Sequence, residues 1–156
     1  MDINITGRIN AQTKRQFKEA VMYYVGRLMT SQMLKNITID VSIRKNVENN
    51  DEGFCEVVGW NSLSKPRDFK VVIKKDESVR KMLMTLAHEI VHVKQYAVGE
   101  LSENHASWRG KRINEDVDYW ESPWEIEAFG RERGLYTLFC EKYNYTFPKH
   151  SNERDA

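Results

Sequence analysis

Only two cysteines, Cys55 and Cys140, occur among the 156 residues. That is too few for a disulfide framework, and free thiols are the expected state. No stretch approaches the roughly 18 consecutive apolar residues of a membrane span. An excess of charge is also missing. Lysine plus arginine number 24 and aspartate plus glutamate 23, a formal net charge of +1. Such a balance exerts no net pull on nucleic acid or anionic lipid, so neither is an expected partner. The opening residues "MDINITGRINAQTKRQ" have no apolar core and show no secretory signal. The expected location is the cytoplasm. No internal repeat or low-complexity tract is present.

What remains is the composition of a globular protein, 40% hydrophobic and 30% charged. The length suits one domain, expected over residues 1–147, with a polar tail at 148–156. Residues 12–35 repeat apolar side chains at helical spacing: Phe17, Ala20, Val21, Tyr24, Val25, Leu28, Met29. Three short segments rich in β-branched residues follow, "ITIDVSI" (37–43), "FCEVVGW" (54–60) and "FKVVIKK" (69–75). The turn-like stretches "KNVENNDEG" and "NSLSKPRD" separate them, which predicts an antiparallel meander of about three strands. A second helix is expected from about Asp76 to Tyr96, stopping near Gly99, and a hairpin around "WRGKRI". A third helix should start at Ser122, with Pro123 in its first position and Glu125 completing an S-x-x-E capping box, and run to about Tyr143. The expected fold class is α+β.

The second helix contains "LAHEIVH". At about 100° per residue, His92 lies roughly 40° from His88. Met82, Leu83, Leu86, Ile90 and Val93 form an apolar stripe on another side. Two imidazoles one turn apart on one face can share a zinc ion, and Glu89 can stand beside it without ligating. A catalytic zinc needs a third protein ligand. "SPWEIEAFGRE" offers Glu125 and Glu127, two residues apart and so on different sides of a helix. Both carboxylates flank apolar arcs, Glu127 on the side of Ala128, Leu135 and Leu138, and the capping role expected of Glu125 leaves Glu127 as the expected ligand. His105, in "SENHASW", is the rival. Val98 stands where a metzincin would carry its third histidine.

"HEIVH" followed by a helix carrying "EIEA" resembles the gluzincins, the zinc metallopeptidase clan typified by thermolysin. The short length, the preceding small sheet and "PWEIEA" are most similar to minimal single-domain members, related in layout to SprT-like and ImmA-like domains. The likeness implies a zincin-like fold, one catalytic Zn2+ on His88, His92 and Glu127, and Glu127–Ala128 as the glutamate followed by a small residue. Thermolysin also carries a histidine-orienting aspartate four residues after its ligand glutamate; counted from Glu127 that position is Arg131.

The chemistry implied is hydrolysis of a peptide or protein substrate. Water on zinc has a pKa of about 7. Glu89 would be the general base, and Tyr119 or His105 would donate to the developing oxyanion. An edge strand of the sheet could hold the peptide by main-chain pairing. Three alternatives are a non-catalytic zinc-fold binding module, a SprT-like protease acting on DNA-associated proteins, and a deformylase-like hydrolase. The last rests on Cys55 after "EGF", where deformylases carry a cysteine ligand in an E-G-C segment.

Overall fold

The computed structural model describes residues 1–60 and 65–149. Part of "NSLSKPRD" and most of the polar tail lie outside them. The fold is α+β, with six strands and four helices among the described residues. In order these are β1 (Asp2–Gly7), α1 (Ala11–Leu28), α2 (Ser31–Leu34), β2 (Thr38–Arg44), β3 (Gly53–Val57), β4 (Asp68–Lys74), α3 (Val79–Ala97), β5 (Ser107–Trp108), β6 (Lys111–Arg112) and α4 (Pro123–Tyr143). No helix of the described residues is long and apolar enough to cross a membrane.

The sheet corrects the expected three-strand meander. It has four strands in the order β1-β2-β4-β3. β1 and β4 both run parallel to β2, and β3 alone is antiparallel, paired with β4. β1 is short and alternates Ile3 and Ile5 with Asp2, Asn4 and Thr6, the pattern of an edge strand with one wet face. β4 takes the centre because its run is apolar on both faces: Val71, Val72 and Ile73 are all fully buried. The register aligns Ile3, Ile39, Phe69, Val41, Val71, Ile43 and Ile73 on one face, all buried. Asp40 on the opposite face is exposed.

α1 and α3 pack against each other and against the sheet, and α4 lies along α3. The predicted first helix breaks after Leu28, where Met29 turns extended and Thr30 caps the short α2. Ser78 caps α3 by accepting from the Lys81 amide at 3.0 Å. Gly99 ends the helix at φ +82°, a conformation that favours glycine, so that the Glu100 amide can bond Gln95 O at 2.9 Å. The Tyr24 hydroxyl of α1 donates to Leu83 O at 3.0 Å. α3 is therefore wrapped by α1, the sheet and α4, and even its polar side is covered. Gly53 sets how closely β3 approaches it. A Cβ there would stand 2.8 Å from Val72 O and 3.0 Å from Thr85 Cγ2. β3 thus forms the sheet edge that flanks the polar side of α3.

Candidate metal centre

His88 and His92 share a face of α3, as their spacing predicts, but that face is buried rather than wet. α4 covers it, leaving His88 7% and His92 8% exposed. The third member of the cluster, its one carboxylate, is Glu125, not Glu127. Glu125 Oε1 lies 2.9 Å from His88 Nε2 and 3.0 Å from His92 Nε2, and the two Nε2 atoms are 3.3 Å apart. His88, His92 and Glu125 form the metal-capable group of the described residues. Donors about 2.0–2.1 Å from a tetrahedral ion stand roughly 3.3 Å from one another, so a triangle of this size fits a zinc-sized cation.

The expectation for Glu127 failed at the cap. Ser122 makes no side-chain capping bond with α4; its hydroxyl donates instead to Asp118 O at 3.0 Å. Glu125 is therefore free of the capping role and turns into the protein. It shares a helix face with Ala128, Leu135, Tyr136 and Phe139, all buried, at offsets of 3, 10, 11 and 14 residues. That periodicity could have identified it. Glu127 lies about 200° away. It is held by Lys94 at 3.0 Å, Gln95 at 3.1 Å and Arg109 at 3.4 Å. His105 is not part of the triangle either. Its Nε2 pairs with the Tyr96 hydroxyl at 3.0 Å, and its ring lies 4.9 Å from that of Trp124. Burial and the neighbouring His92 charge push its pKa down.

The far sides of both imidazoles are also occupied. His88 Nδ1 stands 2.9 Å from Glu132 Oε2, and His92 Nδ1 stands 2.8 Å from Gln95 Oε1. Carboxylate and amide oxygens accept only, so each Nδ1 carries the proton. The Gln95 orientation follows from its other end, where Nε2 donates to Trp124 O at 2.9 Å and to Glu127 Oε1 at 3.1 Å. With Nδ1 protonated, a neutral ring has a bare Nε2. Two bare nitrogens then converge on one carboxylate oxygen, an arrangement that requires a cation at the centre, whether protons or a metal. Glu132 sits seven residues after Glu125, two turns along the same face of α4. The helix that supplies Glu125 thus also supplies the carboxylate that faces the outer nitrogen of His88.

The ionisation of the group shows the same demand for positive charge. Burial alone would lower the His88 pKa, but its hydrogen bonds to Glu125 and Glu132 outweigh burial and raise it to about 9. Burial would raise that of Glu125, yet the two histidines take it down to about 2. His92 is raised against its burial, chiefly by Glu125.

The triangle opens into a cleft of about 1000 Å³. Glu89 lines it, 5% exposed, and burial pushes its carboxyl up although His92 and His88 pull it down. Tyr119 also lines it, from a 3-10 turn at Tyr119–Glu121. Burial and the Glu125 and Glu89 carboxylates push its phenol up to about 12, so it stays protonated near neutrality. Trp120 is 68% exposed and stacks on Phe129 at 5.0 Å, and the Phe129 ring lies 4.5 Å from that of His88. Cys55 lines the cleft from β3 but stands outside the metal-capable group. The deformylase-like alternative thus loses its distinguishing ligand. No protein-family model, curated protein or solved structure matches this chain.

Proposed function

We propose that this chain is a zinc-dependent peptidase of gluzincin type, with His88, His92 and Glu125 as the ligand set. The observation that carries the reading is the convergence of those three side chains, with Glu89 from the same H-E-x-x-H helix turned into the adjoining cleft. Zinc in such a setting supplies a Lewis acid and lowers the pKa of water to about 7. Glu89, buried and raised in pKa, is suited to take a proton from the attacking water and pass it to the leaving amine. Tyr119 is a neutral donor at the cleft, suited to the oxygen that gains charge as the carbonyl is attacked. β3 is a sheet edge beside the cleft, and an extended peptide could add to it by main-chain pairing.

The test is zinc content and peptide hydrolysis measured together. Wild type should carry about one zinc. Glu89→Gln should keep it and lose at least about 100-fold in turnover, the usual share of a general base. A protein that takes up no zinc, or a Glu89→Gln variant that cleaves at the wild-type rate, would sink the reading.

A further inference from the structure

Resting on that ligand set, we infer that Glu127 is a positioning residue that acts on His92 through the Gln95 amide. Gln95 is fully buried and lies one turn beyond His92 on α3. Its amide has three polar contacts and can satisfy them in one orientation only. Oε1 accepts from His92 Nδ1 at 2.8 Å, while Nε2 donates to Trp124 O at 2.9 Å and Glu127 Oε1 at 3.1 Å. A flipped amide would set its oxygen against two other oxygens and its NH2 group against the His92 N–H. In a buried site each such mismatch is costly. Two acceptors on α4 therefore decide which way an amide on α3 points. That amide decides which His92 nitrogen is bare.

Glu127 is itself held in place. Lys94 reaches its two oxygens at 3.0 and 3.2 Å, and Arg109 in the β5–β6 turn reaches it at 3.4 Å. Both cations also pair with Glu100, Arg109 through Nε at 2.7 Å. The chain of contacts thus runs from the β5–β6 hairpin through Glu127 and Gln95 to the His92 ring. It differs from the His88 side, where a carboxylate bonds the ligand imidazole directly.

The experiment compares Gln95→Leu, Glu127→Ala and Glu127→Gln in the full chain. Zinc affinity is measured by chelator competition, and the His92 Nδ1–H signal by ¹⁵N-edited NMR. Outer partners of metal ligands typically contribute roughly 10–100-fold in affinity. Gln95→Leu should fall in that range, and Glu127→Ala, with Trp124 O still in place, should lose about 10-fold at most. Glu127→Gln keeps an oxygen for Gln95 Nε2 and should recover wild-type affinity to within about threefold, below the range of a lost partner. The His92 Nδ1–H signal should be protected from exchange in wild type and Glu127→Gln, and broadened in Gln95→Leu and Glu127→Ala. The His88 Nδ1–H signal, bonded to Glu132, should persist in all four.

Wild-type affinity and a protected His92 signal in Glu127→Ala would overturn the inference. So would a Glu127→Gln variant as weak as Glu127→Ala, because that would assign Glu127 a charge or ligand role. If Glu127→Ala fails to fold, Glu127→Met, which keeps the side-chain length but offers Gln95 Nε2 no oxygen, replaces it under the same criteria. Failure of wild type to bind zinc would remove the peptidase reading, while the His92 signal of the metal-free protein would still report on positioning.

Discussion

Two charge clusters flank the first turns of α4, and they are balanced in opposite ways. The outer one pairs Glu100 and Glu127 with Lys94 and Arg109, two negative charges against two permanent positive ones. The inner one sets Glu125 and Glu132 against His88 and His92, which are neutral unless protonated. The clusters draw on the same residue type two positions apart, Glu125 and Glu127. What lies opposite decides the role. A carboxylate facing lysine and arginine is a finished ion pair. A buried carboxylate facing two imidazoles needs a proton or a metal ion between them, and its shifted protonation reflects that.

The largest effect should come from removing the inner carboxylate. Zinc held by a full protein ligand set is stabilised by about 10–16 kcal/mol. One ligand of several should then account for at least about 100-fold in affinity. Glu125→Ala should lose zinc at that scale under chelator competition, well beyond the loss for Glu127→Ala. Equal losses would erase the distinction between the clusters.

A smaller effect should appear in the pH dependence of the metal-free fold. The His88 pKa is raised from 6.5 to about 9, so its contribution is fully present below 6.5 and is lost as pH rises through 9. That of Glu125 is lowered from 4.5 to about 2, so its contribution is present above 4.5 and is lost as pH falls through 2. The melting temperature of metal-free protein should therefore peak between about 4.5 and 6.5 and decline toward pH 9. Zinc-loaded protein should lack the alkaline decline, because protons no longer supply the charge. Parallel profiles for the two forms would mean that the histidines do not hold the metal.

The smallest effect belongs to the outer cluster. Arg109 has a side chain 57% exposed, and exposed ion pairs contribute about 0–1 kcal/mol. Arg109→Ala should lower stability in denaturant titration by no more than that. A loss of several kcal/mol would show that the hairpin is integral to the inner site.

Much of this was legible in the residue order. The helical spacing of His88 and His92 placed both on one face, and Gly99 marked the end of α3. "WRGKRI" announced the β5–β6 hairpin. Strand order was not legible, because β-branched runs do not declare their neighbours, and the mostly polar β1 carries only Ile3 and Ile5 as apolar residues. The third member of the triangle was half legible. The wheel set Glu127 on the side of Ala128, Leu135 and Leu138, whereas the buried face carries Glu125 with Ala128, Leu135 and Phe139 and leaves Leu138 exposed, and the capping pattern at Ser122 suggested a local role for Glu125.

The sequence by itself determined the pieces with local causes: the apolar stripe of α3, its end at Gly99, the β5–β6 turn and the pair of histidines four residues apart. Only the tertiary structure decided that Glu125 completes the triangle, that Glu127 meets Lys94 instead, and that Glu132 and Gln95 fix the imidazole protons. Those choices depend on how α4 lies across α3. That packing is set by the burial of apolar side chains along both helices, which fixes where every neighbouring carboxylate must point.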